Sequence, residues 1–264
     1  MQVLLINYAN HCFYKSQKLN SKTGRAVGGF DKIISYSPKN IGKSFYEKNK
    51  KILAQRRGAG YWLWKPYLMK KSLELLNDGD FLFYCDSGSY FIQPITPLIE
   101  ISLNNGQDII PFGSPYCKEK TWTKRDAFIL MDCDSPEYFE SHQRLASFVL
   151  FKKSDYTMTF LEDYLHFAQD ERIITDIENQ CGLPNYPGFK ENRHDQSIFS
   201  LLTKKYELDD YRNPSQYGNS CKEFYSNSQY EQLINHSRER QTPLHQRVAK
   251  KVRKSLAKHS NSGA

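Results

Sequence analysis

The sequence predicts an α/β fold with a mostly parallel central sheet flanked by helices. Residues 1–236 form one domain, and a basic amphipathic helix lies in a tail over 237–264. Three observations carry this reading. Continuous apolar runs such as "VLLINYA" (3–9) and "DFLFYCD" (80–86) are the pattern of strands covered on both faces. Segments with apolar residues at helical spacing alternate with these runs, as βα units require. In the tail, Leu244, Val248, Val252 and Leu256 recur every four residues among lysines and arginines.

Element by element, "VLLINYA" is a buried first strand, and the Gly-rich "NSKTGRAVGGF" reads as a loop. "KIISYS" is a short second strand. Residues 40–57 place Ile41, Phe45, Ile52 and Leu53 on one helical face, and Gly58 and Gly60 stop the helix. A second helix spans 65–79, with Pro66 in its first turn and Asn77-Asp78-Gly79 at its end. "DFLFYCD" is a core strand. "TPLIEISLNNG" is a helix with Thr96 as cap and Pro97 at its first position. "DIIPF" and "RLASFVLFKK" are strands, separated by a helical "TKRDAFILM". Ser154 or Asp155 caps a long helix, and 194–206 forms another, opened by polar and acidic residues. Beyond about residue 207 the signals read as loop. No internal repeat is present.

Composition narrows the function classes. With 39% hydrophobic and 14% aromatic residues, 264 residues suffice for one sizeable core. No apolar run approaches a membrane span. The N-terminus "MQVLLINYAN" lacks the basic region of a signal peptide, so a cytoplasmic location is expected. Cysteines 12, 85, 117, 133, 181 and 221 form no Cys-x-x-Cys pair, which argues for reduced thiols rather than a zinc site. The net charge of +8 is concentrated at the end of the chain. From Ser237 onward there are eight basic residues and one acid, which gives +7 and leaves 8 − 7 = +1 for the body. A near-neutral body argues against nucleic acid. The basic tail reads as a membrane-surface segment, worth about 1 kcal/mol per Lys or Arg near anionic lipid, or else as a solvated end. The body would then be cytoplasmic, peripheral on the inner face of the membrane.

Two places in the body suggest a site. In open α/β sheets, ligands bind beyond the carboxyl ends of strands. The run "DFLFYCDSG" delivers Asp86 to that edge, and Ser87 and Gly88 leave room for a ligand. A carboxylate there suits a divalent metal on a diphosphate, or a ribose hydroxyl; the plain alternative is that Asp86 caps its own turn. Upstream, Arg57, Tyr61, Trp62, Trp64 and Lys65 bring indoles beside cations. That combination suits a stacking wall with a phosphate-binding charge, while its plain alternative is packing at a helix start.

Taken in order, "RGAGYWLWKPYL", "GDFLFYCDSG", "WTKRDAF" (122–128) and "RHDQSIFSLL" (193–202) resemble bacterial glycosyltransferases of the GT-A type from capsule and lipopolysaccharide gene clusters. The resemblance covers roughly residues 1 to 205, and the Trp-Lys-Pro segment is its most specific piece. It implies a GT-A-like, Rossmann-like domain. Such a domain would bind a nucleoside-diphosphate sugar, UDP-linked in the first instance, and a saccharide or lipid-linked saccharide acceptor. Arg57, Tyr61, Trp62, Trp64, Lys65, Asp86, Ser87, Gly88 and His194 would then contact the donor.

By that resemblance Asp86 stands at the first position of an Asp-x-Asp element, but Gly88 occupies the second. A manganese or magnesium ion, if used, would need Asp86 plus water, diphosphate or a histidine such as His236. A literal Asp132-Cys133-Asp134 is set aside, because Asp134-Ser135-Pro136-Glu137 reads as a helix start. His194-Asp195-Gln196-Ser197 is similar to the His-Asp-Glu-Ser segment of retaining blood-group-type galactosyltransferases. Asp195 and Gln196 would line the donor sugar, although an N-cap role accounts for Asp195 at about 1 kcal/mol. Gln196 in place of Glu disfavours a covalent intermediate. It leaves a front-face displacement, or Asp195 as general base. Lys124 and Arg125 would neutralise the leaving diphosphate, or else form a solvated helix face.

Two rivals remain at this point. One is a non-catalytic carbohydrate- or nucleotide-binding module of the same fold. The other is a nucleotidyltransferase, which the missing glycine after the first strand ranks last.

Overall fold

The computed structural model describes residues 1–237. The basic helix expected in the tail lies outside the described residues. Strands β1 (Val3–Tyr8), β2 (Lys32–Tyr36), β3 (Phe81–Cys85), β5 (Ile109–Lys118) and β6 (His142–Lys152) form one sheet in the order β2-β1-β3-β6-β5. β1 pairs in parallel with β2 and β3, with Leu4 opposite Lys32 and Val3 opposite Phe81. β6 runs antiparallel to both β3 and β5. Four of the five strands therefore share one direction, and the mostly parallel sheet carries one reversed strand.

The sheet is covered on both faces, as its continuous apolar strands require. Successive side chains alternate between faces. Leu4, Ile6, Tyr8, Leu82 and Tyr84 enter one buried cluster, shared with helices α2 (Trp64–Leu73), α4 (Asp155–Ala168) and α5 (Asp195–Lys205). Val3, Leu5, Phe81, Phe83 and Cys85 enter the other, with Leu98 and Ile99 of α3 (Thr96–Asn105). Burial of a side chain such as Phe83, 0% exposed, contributes roughly 1.5–3 kcal/mol.

The structure differs from the sequence reading in several places. The segment expected as a loop, 20–30, instead holds the last turn of helix α1 (Tyr14–Thr23) and a π-helical turn, Gly24–Gly28. The inward face of α1 is polar, so no apolar stripe announces it. Asn20 accepts from Asn7 Nδ2 at 2.7 Å and donates to Ser89 O at 2.9 Å. The expected helix over 40–57 is broken at Asn49 into Lys43–Lys48 and Lys50–Leu53. The cap of α3 is Ile95, one residue before Thr96. Ser154 caps α4, accepting from Thr157 N. The region read as loop contains a 3-10 helix, Gln216–Phe224, and strand β7 (Ile234–His236). β7 pairs with β4 (Ser89–Phe91) as a second, two-stranded sheet, with Ser89 opposite His236. All six cysteines are free thiols. No helix among the described residues is long and apolar enough to cross a membrane.

Candidate active site

The parallel strands β1 and β3 end at the same edge, and a cleft of about 620 Å³ opens there. Asp86 follows β3 directly. Its N–H still donates to Ser147 O of β6 at 2.9 Å, and Ser89 N–H donates back to Asp86 O at 3.1 Å, which turns the chain into β4. Ser87 is buried and donates its hydroxyl to Tyr8 O, tying the turn to the end of β1. Tyr84 and Asp86 are two residues apart and project to one face. The Tyr84 hydroxyl donates to Asp86 Oδ1 at 2.6 Å. Burial first, and Asp86 second, push the Tyr84 phenol well above its ordinary pKa, so it stays a donor.

Lys65 is the centre of the cleft's electrostatics. The first turn of α2 carries it inward, and its side chain is 3% exposed. Its ammonium lies 2.5 Å from Asp195 Oδ2 and 3.7 Å from Asp86 Oδ1, and donates to Ala146 O at 3.1 Å. A lysine this deeply buried stays charged only with such partners. Burial opposes the charge, but Asp195 and then Asp86 outweigh it, so the Lys65 pKa is raised. Asp195 sits in the first turn of α5 with its side chain 6% exposed. Burial pushes its carboxyl up to about 6, although Lys65 pulls in the opposite direction. Asp195 thus serves as an inward ion partner rather than a helix cap.

The aromatic wall depends on unusual backbone. Gly58, Ala59, Gly60, Tyr61 and Trp62 all have positive φ, from 51° to 95°. Tyr61 N–H donates to Arg57 O at 2.8 Å and Trp62 N–H to Gly58 O at 3.3 Å, giving one left-handed turn. Such a turn costs about 1–2 kcal/mol per non-glycine residue. A Cβ on Gly60 would stand 2.6 Å from Leu53 Cα, so this glycine is needed for space as well as conformation. The turn places Trp62 against His194, with rings 5.4 Å apart and 20° from parallel, and Tyr61 at 5.0 Å from the same ring. His194 itself has φ 55° and ψ −116°. Three strained residues therefore pack together at the cleft, where strain tends to gather at functional sites.

His194 Nδ1 donates to Ile174 O at 2.7 Å, which leaves Nε2 as the acceptor of a neutral ring. Burial holds its pKa below the ordinary value. Trp64 stacks on Tyr8 at 3.7 Å and donates its indole N–H to Gly58 O at 2.9 Å. It lines the cleft but is mostly core.

The cleft gathers Arg57, Trp62, Trp64, Lys65, Asp86, Ser87, Gly88, His194, Asp195, Gln196 and His236 from the residues singled out in the sequence. Tyr61 stands behind it against His194. Arg57 pairs with Asp176 at 3.3 Å and Glu191 at 3.2 Å, half exposed, where such pairs contribute little to stability. Lys124 and Arg125 do not line the cleft. Lys124 is buried and donates to Ile177 O at 2.6 Å. Arg125 pairs with Asp134 at 2.8 Å and lies over the Tyr186 ring. Asp132 and Asp134 also lie apart from the cleft, and a short helix, Pro136–Phe139, does start after Ser135, without a side-chain hydrogen bond from that residue.

Tyr8, Asn10, Phe13, Arg56, Glu191 and Arg193 also line the cleft, although no sequence motif singles them out. The rule that points to strand ends applied equally to Tyr8 and Asn10 at the end of β1. Arg56 and Arg193 adjoin residues that were named.

For a divalent metal, the cleft offers Asp86 and His236. Asp86 Oδ1 already receives Tyr84, and His236 packs edge-on against Phe148 and Tyr217. Among the described residues, no group of three His, Cys, Asp or Glu side chains is gathered to hold a metal. The donor set is partial.

No family model matches this chain, and no curated protein matches it. Among solved structures, the apo form of mouse xyloside xylosyltransferase 1 aligns with 90% of this chain and 97% of that one. The identity is 11% and the TM-score 0.44, too distant a likeness to carry an argument.

Proposed function

We propose that this protein is a glycosyltransferase that moves a sugar from a nucleoside diphosphate, most simply UDP, to a saccharide acceptor in surface-polysaccharide synthesis. One observation carries the reading. The strained aromatic wall, the Lys65–Asp86–Asp195 cluster and Gln196 share one cleft at the carboxyl edge of the parallel strands. Trp62, half-buried and backed by the buried His194 ring, offers a flat surface for a base or sugar ring. Arg56, Arg57 and Arg193 supply charge at the cleft for a diphosphate.

Asp86, 30% exposed, is more open to a ligand than Asp195, and Tyr84 and Lys65 hold it in place. Lys65 supplies a fixed positive charge between the two carboxylates, where negative charge on a departing diphosphate would be stabilised. Asp195, ionised above about pH 6, orients that ammonium and faces the site of transfer beside Gln196. A manganese or magnesium ion held by Asp86 and His236 would add neutralisation of the diphosphate.

The test is a thermal-shift and turnover screen of UDP-, GDP- and CMP-sugars, with and without manganese. A stabilising shift with one nucleotide class, together with sugar transfer or slow donor hydrolysis, supports the reading. No shift with any of them counts against it.

A non-catalytic binding module has one observation in its favour. Asp195, the candidate base, is nearly enclosed and paired to Lys65. Donor hydrolysis separates the two readings, because a binder shows a thermal shift without it.

A further inference from the structure

Gln196 meets the cleft through a side chain whose orientation is set from behind. Gln143 of β6 is buried, and its Nε2 faces three acceptors: Glu119 Oε2 at 3.2 Å, Thr123 Oγ1 at 3.1 Å and Trp122 O at 3.4 Å. The Trp122 carbonyl only accepts. Glu119 is wholly buried and surrounded by donors. Lys204 Nζ reaches its Oε1 at 2.6 Å, the Ser200 hydroxyl donates to the same oxygen, and Thr123 donates to Oε2 at 2.8 Å. A carboxylate so placed also only accepts.

The network therefore leaves one choice for each amide. Gln143 turns its NH2 inward to Glu119 and Trp122, so its Oε1 faces Gln196. Two carbonyl oxygens make no hydrogen bond, so Gln196 presents its NH2, and its Nε2 donates to Gln143 Oε1 at 2.9 Å. The Oε1 of Gln196 accepts from none of the described residues, and Gln196 lines the cleft next to Asp195.

We propose that Glu119 and Gln143 are positioning residues that lock the Gln196 amide with its carbonyl oxygen toward the cleft, where it accepts a hydrogen bond from a hydroxyl of the bound sugar. The proposal rests on the glycosyltransferase reading only for the identity of that hydroxyl-bearing ligand. It makes the wall of the cleft selective, since a sugar lacking the hydroxyl leaves a desolvated oxygen unpaired.

Two variants release the lock. Gln143→Leu removes the acceptor that holds Gln196. The double variant Glu119→Met with Lys204→Met removes the buried charge pair as a unit, so that neither partner is left buried alone, and takes away the carboxylate that turns the Gln143 amide. Together they keep the test open if one of them fails to fold.

The first readout is nuclear magnetic resonance of the Gln196 side-chain amide, assigned by its loss in Gln196→Ala. In the parent protein its protons exchange at least tenfold more slowly than free glutamine, and in the released variants that protection is lost. The second readout is kcat/KM for the preferred nucleotide sugar against its monodeoxy analogues. The parent discriminates against one analogue by tenfold or more. The released variants lose at least threefold of that ratio through the natural donor, with the analogue unchanged. Free exchange in the parent, or an unchanged ratio in folded variants, overturns the proposal. The resonance readout needs no turnover, so it decides the orientation even if no nucleotide sugar is a substrate.

Discussion

Lys65 Nζ lies 2.5 Å from Asp195 Oδ2, which joins the first turn of α2 to the first turn of α5 beneath the cleft. Neither residue is stable there alone. Replacing Lys65 by Met leaves Asp195 buried and unpaired beside Asp86, and breaking a buried pair of this kind costs about 3–5 kcal/mol. Lys65→Met is expected to lower Tm clearly in a thermal melt. Adding Asp195→Asn to it is expected to restore part of the loss, because the two changes remove one interaction. Strictly additive effects would show that the pair is not coupled.

The raised carboxyl of Asp195 fixes a pH dependence. Its folded pKa, about 6, exceeds that of an unfolded aspartate, so the folded state binds the proton more tightly. Its contribution to stability is fully present below about pH 4 and is lost as pH rises through about 6. Activity runs the other way, because the ionised form orients Lys65. Turnover is expected to rise through an apparent pKa near 6, and Asp195→Asn is expected to flatten that limb. A pH–rate profile with the same limb in the variant assigns it to another group.

Asp86 stands at the open side of the cluster, and its removal should spare the fold. Asp86→Ala is expected to abolish sugar transfer, by about 100-fold or more, while Tm changes by only a few degrees. Parent-like turnover in that variant would remove Asp86 from the donor site.

The left-handed turn makes a prediction about stability without chemistry. Ala59 holds φ 53° and ψ 50°, a conformation that glycine adopts freely. Ala59→Gly is expected to be neutral or stabilising by up to about 1 kcal/mol in denaturant melts. Gly60→Ala, with its Cβ driven toward Leu53, is expected to destabilise by more than that. Equal effects of the two would mean that the turn relaxes in solution.

Arg125 provides a negative control. It lies over Tyr186 and pairs with Asp134, outside the cleft. Arg125→Ala is expected to leave the donor KM within about twofold of the parent. A rise of tenfold would return Arg125 to the diphosphate.

Much of the site was legible because its parts obey short-range rules. An apolar strand ending in Asp86 and a helix start at Asp195 are visible in a few residues, and strand-end logic brings them to one edge. What Lys65 does was not legible. Its sequence neighbours suggest a phosphate ligand, and only the meeting of Lys65 with Asp195 and Asp86 in the folded chain shows it held between two acids. The polarity of β6 was hidden too, because "RLASFVLFKK" reads equally as a parallel or an antiparallel strand. Helix α1 escaped notice because Gln17 and Asn20, its buried residues, are polar and satisfied by hydrogen bonds rather than by apolar contact. The glycines at 58 and 60 were read as a helix stop. That reading captured their conformational freedom but not the handedness of the turn they begin.

The pairing of β7 with β4 settles where the described chain leaves the body. Ser237 N–H donates to Gly88 O at 2.8 Å, two residues from Asp86, so the exit point is stitched to the lip of the cleft. Anything fastened further along the polypeptide would pull on that lip. A molecule seated against Gly88 would therefore touch the same backbone that anchors β7, and filling the cleft would steady the point where the described chain ends.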